Sequence, residues 1–131
     1  MAYEVPVGTA TFPATTGLSQ YRFVFINSSG KLTKPSSNGR VLGVLVSSGT
    51  TGTNGAKAQT VQLYGIAKVV SGSTAIAVGD TIGASTATGR AVAKASGDVG
   101  VGIALVAGVS TSTHEVLSVL LTGPFASSTA F

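Results

Sequence analysis

The chain has 131 residues and a formal net charge of +4, and only 9% of its residues are charged, against about 25% in an average globular protein. That length suits one domain with a core that needs no metal or disulfide, and the absence of cysteine excludes disulfides and thiolate metal sites. The Lys and Arg residues are scattered singly and tryptophan is absent, which speaks against the clustered basic and aromatic face of a nucleic-acid binder.

Apolar residues at helical spacing are missing. Short Val, Ile, Thr and aromatic runs, cut by Gly, Ser and Asn clusters, predict an all-β fold, a small barrel or sandwich of about 8–10 short strands. Tyr3, Val5 and Val7 alternate with Glu4 and Pro6. Pro6 cannot donate to a ladder, so residues 1–17 are expected to form an extended arm or an edge strand. Tyr3, Val5, Val7 and Phe12 are its candidate contact residues, either with a partner's sheet edge or within the chain's own barrel.

Tyr21 to Ile26 is a strong strand ending in the turn cluster Asn27-Ser28-Ser29-Gly30, and Lys31 to Lys34 returns from it. Val41 to Val46 is almost continuously apolar, which suits a strand buried on both faces or at an interface. A polar loop closes at Asn54-Gly55, and Ala58 to Val70 forms a long strand region with a bulge or bend at Gly65. Ala75 to Val78 suits one helical turn or a short extended piece. Thr81-Ile82, Arg90 to Lys94, Val99 to Val106 and His114 to Leu121 complete the predicted strands, with Gly123 and Pro124 ending the last one. One β-domain is thus expected over 18–124. The small-residue tail 125–131 is expected to be mobile except where Phe131 docks.

An internal repeat is visible. Gly30-Lys31 recurs as Gly89-Arg90, 59 positions on, and so does Leu42-Gly43-Val44-Leu45-Val46 as Val101-Gly102-Ile103-Ala104-Leu105. Gly49 matches Gly108 at that spacing, and Val61 to Gly65 matches Val119 to Gly123 at one residue less. Two similar halves, about 18–70 and 76–123, are expected to join near Ser71 as a pseudo-two-fold barrel or sandwich.

No chemistry-bearing constellation emerges. His114 is the lone histidine, no Gly-x-Ser-x-Gly elbow accompanies the many serines, and four dispersed carboxylates suggest neither a metal cage nor an acid–base pair. Gly97 to Gly102 contains Gly-x-Gly, but the dinucleotide fingerprint fails at Leu105, and Gly30-Lys31 is followed by Leu32 rather than a hydroxyl residue. The expectation is no enzyme and no cofactor or metal. Asn27-Ser28-Ser29 formally matches a glycosylation acceptor but reads as a turn, because no secretory signal is expected at Met1-Ala2-Tyr3-Glu4. The longest apolar stretch, Val99 to Val109, is too short for a membrane helix, so no membrane partner is expected.

Ser and Thr make up about a quarter of the residues. A hydroxyl-rich surface is easier to desolvate than an ionic one, because hydroxyls re-pair locally while charges must be matched. It suits a protein packed against other proteins.

One ordered set of segments is Tyr64-Gly65-Ile66-Ala67-Lys68-Val69, Ala77-Val78-Gly79-Asp80-Thr81-Ile82, Thr88-Gly89-Arg90-Ala91-Val92 and Val101-Gly102-Ile103-Ala104-Leu105, closed by the strand Glu115 to Leu121. In this order, over roughly residues 20 to 123, the chain resembles the capsid cement, or head decoration, family of tailed phages. The resemblance implies a small β-barrel that binds the outside of the mature icosahedral head, commonly as a trimer. Its partners would be the major capsid protein and itself, it would be made in the host cytoplasm and lodged on the virion exterior, and it implies no catalytic residues. A carbohydrate- or host-surface-binding module of the virion is the alternative, poorly supplied with exposed aromatics. A head- or tail-completion component is another.

Overall fold

The computed structural model describes residues 4–14, 18–35, 41–47, 58–72, 75–85, 88–93, 100–108 and 115–125. Tyr3, Gly49, the Asn54-Gly55 turn, His114 and the tail from Ala126 to Phe131 lie outside them. Within them every regular element is a strand: β1 (Val5–Pro13), β2 (Phe23–Ile26), β3 (Leu32–Thr33), β4 (Gly43–Leu45), β5 (Ala58–Val70), β6 (Thr81–Ala84), β7 (Ala91–Ala93), β8 (Gly100–Ala104) and β9 (Val116–Phe125). The fold is all-β, a curled antiparallel sheet, as the alternating Val, Ile and Thr runs require.

The sheet runs β3-β2-β4-β5-β9-β8-β6-β7, with β1 paired to β5 off this path. The order reads the same from both ends once β2, β3 and β4 are matched with β6, β7 and β8. The last strand of the first half is then the N-terminal part of β5, and its match is β9. The first strand of the second half is the C-terminal part of β5, and its match is β1. β1 pairs with β5 as Ala10↔Val61 and Thr11↔Thr60, just as β5 pairs with β9 as Ala67↔Val119 and Lys68↔Ser118. The repeat is therefore a unit of five strands, and the halves join inside β5, ahead of Ser71. Of the two readings of the N-terminal segment, pairing within the chain's own sheet is the one observed for residues 5–13.

Each half curls until its first strand meets its third through an isolated parallel bridge, Ala14 to Leu32 in one and Ser71 to Ala91 in the other. The match extends to single bonds. Tyr21 N donates to Leu45 O at 2.7 Å, and Gly79 N to Ala104 O at 2.8 Å. Val46 N donates to Thr60 O at 3.0 Å, and Leu105 N to Ser118 O at 2.9 Å. The positive-φ residues pair in the same way: Gly8 with Gly65, Tyr21 with Gly79, and Gly30 with Gly89. Turn Ser85–Arg90 holds one residue more than turn Asn27–Lys31, which is why the repeat spacing lengthens there.

Gly43 and Gly102 show what the shared pattern demands. A Cβ at Gly43 would strike the Gln62 carbonyl oxygen and Val61 Cγ1, and one at Gly102 the Leu120 carbonyl oxygen and Val119 Cγ1. At both sites the fourth strand crosses so close over the fifth that only glycine fits.

Two cores follow. Ala14, Leu18, Val24, Leu32, Leu45 and Val61 fill the first half, with Phe12, Leu42 and Leu63 packed on them. The second cluster contains the second half's Val69, Ile76, Ile82, Ala91, Val101, Ala104, Leu117, Val119 and Leu121, together with Phe23, Val41 and Val44 from the first half. The piece Ala75 to Val78 is extended at Ile76, which bridges Gly108, and turns at Val78-Gly79. β9 runs through Gly123 and Pro124 rather than ending there, because Phe125 still pairs with Gly100. Beyond Leu121 the ladder to β5 has ended, so a proline without a donor is tolerated on that side.

Candidate interaction surface

The predicted contact residues divide. Tyr3 and Phe131 lie outside the described residues. The backbones of Val5 and Val7 pair with Ile66 and Tyr64 along β5. Phe12 is half-buried and packs on the first core, so its ring faces inward. β1 itself has β5 on one side and, among the described residues, no ladder on the other. Between Pro6 and Pro13 this strand carries the exposed Thr9 and Thr11.

A second surface comes from register. Thr81 stands opposite Ile103, Ile103 opposite Leu120, and Leu120 opposite Ile66. Directly opposed residues share one face of a sheet, so these four form a row across β6, β8, β9 and β5. Ile103 and Leu120 are each 37% exposed, while Thr81 and Ile66 are half-buried. The matching row in the first half is Phe23, Val44, Gln62 and Thr9, paired in the same register. There Phe23, Val44 and Gln62 are buried to 1%, 0% and 0%. Val44 and Gln62 are thus interior in one half, while their counterparts Ile103 and Leu120 are open in the other; Thr9, at the end of the first row, is exposed.

What covers the first row is the second half. Phe23 N donates to Gly89 O at 2.7 Å, and Val70 N donates to Tyr21 O at 2.8 Å. The Arg22 guanidinium reaches Thr88 O at 3.4 Å. Gln62 fills the point where β4 and β9 succeed one another along the same edge of β5. Its Nε2 donates to Tyr64 O at 2.8 Å and to Ile66 O at 3.0 Å, the carbonyls flanking the bend at Gly65. Its Oε1 is buried and makes no hydrogen bond among the described residues.

The joint also brings two like charges together. Burial, and then the charge of Arg90, lower the pKa of Arg22. The Nε atoms of both arginines are buried without a hydrogen-bond partner among the described residues. Beside them Leu18, Ser19, Arg22, Phe23, Val24, Lys34 and Thr88 line a small hollow. Among the described residues, no three His, Cys, Asp or Glu side chains come together.

Ile103 and Leu120 were not candidates from sequence. The signal that points to them is the repeat, since Ile103 matches Val44 and Leu120 matches Gln62. Comparison with models of known protein families finds no match, and no curated protein matches the chain.

Proposed function

We propose that the chain is a structural virion protein that binds the outer surface of a phage capsid, as a trimer, and reinforces the mature head. The observation that carries this reading is β1, a nine-residue strand whose outer edge has no ladder among the described residues. An open edge is a template for another chain's backbone, and strand addition there supplies main-chain hydrogen bonds without requiring charge complementarity. A chain with only 9% charged residues and many hydroxyls suits such dry contacts. Pro6 and Pro13 limit the pairing to the stretch between them. Repeated contacts from one oligomer then add through effective concentration. The sequence resemblance to the cement family supplies the partner, the major capsid protein.

The test uses virions stripped of this protein and virions to which it is restored. Quantitative gels should give many copies per particle, and restored particles should survive heat or chelator challenge better than stripped ones. Equal survival would refute cementing, and a single ring of copies per particle would favour a head- or tail-completion role.

A further inference from the structure

Because the halves repeat, the seat by which the first half receives the second exists twice. On the first half it is Phe23, Val44 and Gln62, and it is covered. On the second half it is Thr81, Ile103 and Leu120, in the same register, and Ile103 and Leu120 are exposed. We infer that this second seat receives the first half of another copy of the chain, entered by that copy's β2–β3 turn, Asn27–Lys31.

The occupant follows from the internal joint. There the element that lies on Phe23 is the β6–β7 turn, through Gly89 O. Its match in the first half is the Asn27–Lys31 turn, closed by the same pair of bonds, Asn27 N to Lys31 O at 2.9 Å and Gly30 N to Asn27 O at 3.0 Å. Asn27 Oδ1 accepts from Ser29 N and Lys31 N, both at 3.0 Å, so the turn is shaped in advance. Ser28, Ser29 and Gly30 are exposed, and a Cβ at Gly30 would meet nothing, so the tip is open to a neighbour.

Charge favours the contact between copies over the contact within one. In the internal joint Arg22 faces the like charge of Arg90, held there by the covalent run of β5. In the contact between copies Asp80 takes the place of Arg22, and Lys31 of the second copy takes the place of Arg90. A repulsive pair becomes an attractive one. The contact is heterologous, seat to turn, so each copy offers one of each, and the assembly is a closed ring or an open chain according to the rotation between copies.

The experiment needs only purified protein, so it stands whether or not the capsid reading holds. Sedimentation equilibrium from micromolar to millimolar concentration should show the mean mass rising above that of one chain. Ile103→Glu or Leu120→Glu, each at an exposed position, should hold the protein at one chain while its circular dichroism and melting stay as in the parent. Asp80→Lys alone and Lys31→Asp alone should each weaken association roughly tenfold, and an equimolar mixture of the two variants should restore it. The mixture matters because Asp80 also accepts from Ala77 N at 2.9 Å, and rescue by the complementary charge is not expected from a damaged turn. A single chain at every concentration would overturn the inference, as would association indifferent to these changes or a mixture that fails to recover. If the parent stays a single chain and Ile103→Glu instead releases it from virions, the seat belongs to the capsid protein and the inference falls.

Discussion

The two halves share a skeleton and differ in what fills it. Where the first half has Leu32, Leu45 and Phe12 inside, the second has Ala91, Ala104 and Val69. Three large side chains have become small ones, yet packed interiors do not tolerate empty space. The second core is completed in two ways. Leu117 stands where the first half has Gln59, a residue that accepts a hydrogen bond from Ser47, and Phe23, Val41 and Val44 enter from the outer face of the first half. A duplicated fold thus becomes one cooperative body when one copy's exterior is the other copy's core. The half whose exterior is not used in this way keeps an open aliphatic row.

The largest test of that contrast is Phe23→Ala. Loss of a fully buried Phe costs about 3–5 kcal/mol. Because this ring belongs to the shared cluster, melts should show the halves separating into two transitions, whereas Val24→Ala, confined to the first core, should lower one transition as a unit. Next come Gly43→Ala and Gly102→Ala. Each added methyl meets backbone that cannot step aside, so each should cost about 3 kcal/mol in a urea melt. Equal costs would support equivalence of the crossings, and a marked difference would break it.

Gln62→Leu copies the second half's Leu120 into the first. It leaves the Tyr64 and Ile66 carbonyls without their donor and should cost about 1–3 kcal/mol. The reverse exchange, Leu120→Gln on the open face, should change stability by less than about 0.5 kcal/mol. The smallest expected effect is at the left-handed pair. Gly79→Ala should lose about 1 kcal/mol. Tyr21→Gly should be close to neutral, since relief of its φ of +62° is offset by loss of the ring that Lys68 overlies at 5.8 Å. A large loss at Tyr21 would mean that its ring, rather than its backbone position, secures the joint.

These contrasts also explain what was legible in the amino-acid order. The strands and the turns at Gly30 and Gly89 are plain because β-branched runs and turn residues are local signals. Four strands of the repeat were visible for the same reason, as glycines and valines recur at nearly constant spacing. The fifth was hidden. Gly8 and Ala10 recur as Gly65 and Ala67, but the larger residues differ, Thr9 matching Ile66 and Phe12 matching Val69, and β5 reads as one strand although it serves both halves. The open row was hidden for a different reason. Ile103 and Val44 are equivalent by sequence, and only the packing of one half on the other decides which is covered. For residues 1–17 an extended arm and an edge strand are equally compatible with the sequence, because Pro6 marks an edge without saying which strand it lies beside.

The shared β5 has a mechanical meaning. Its 13 residues are gripped by β1 along one margin and by β4 and then β9 along the other. Tension applied along this strand would load all three ladders in shear together, and they would have to give way at once rather than open bond by bond. A load on the molecule would therefore meet its greatest resistance along that axis.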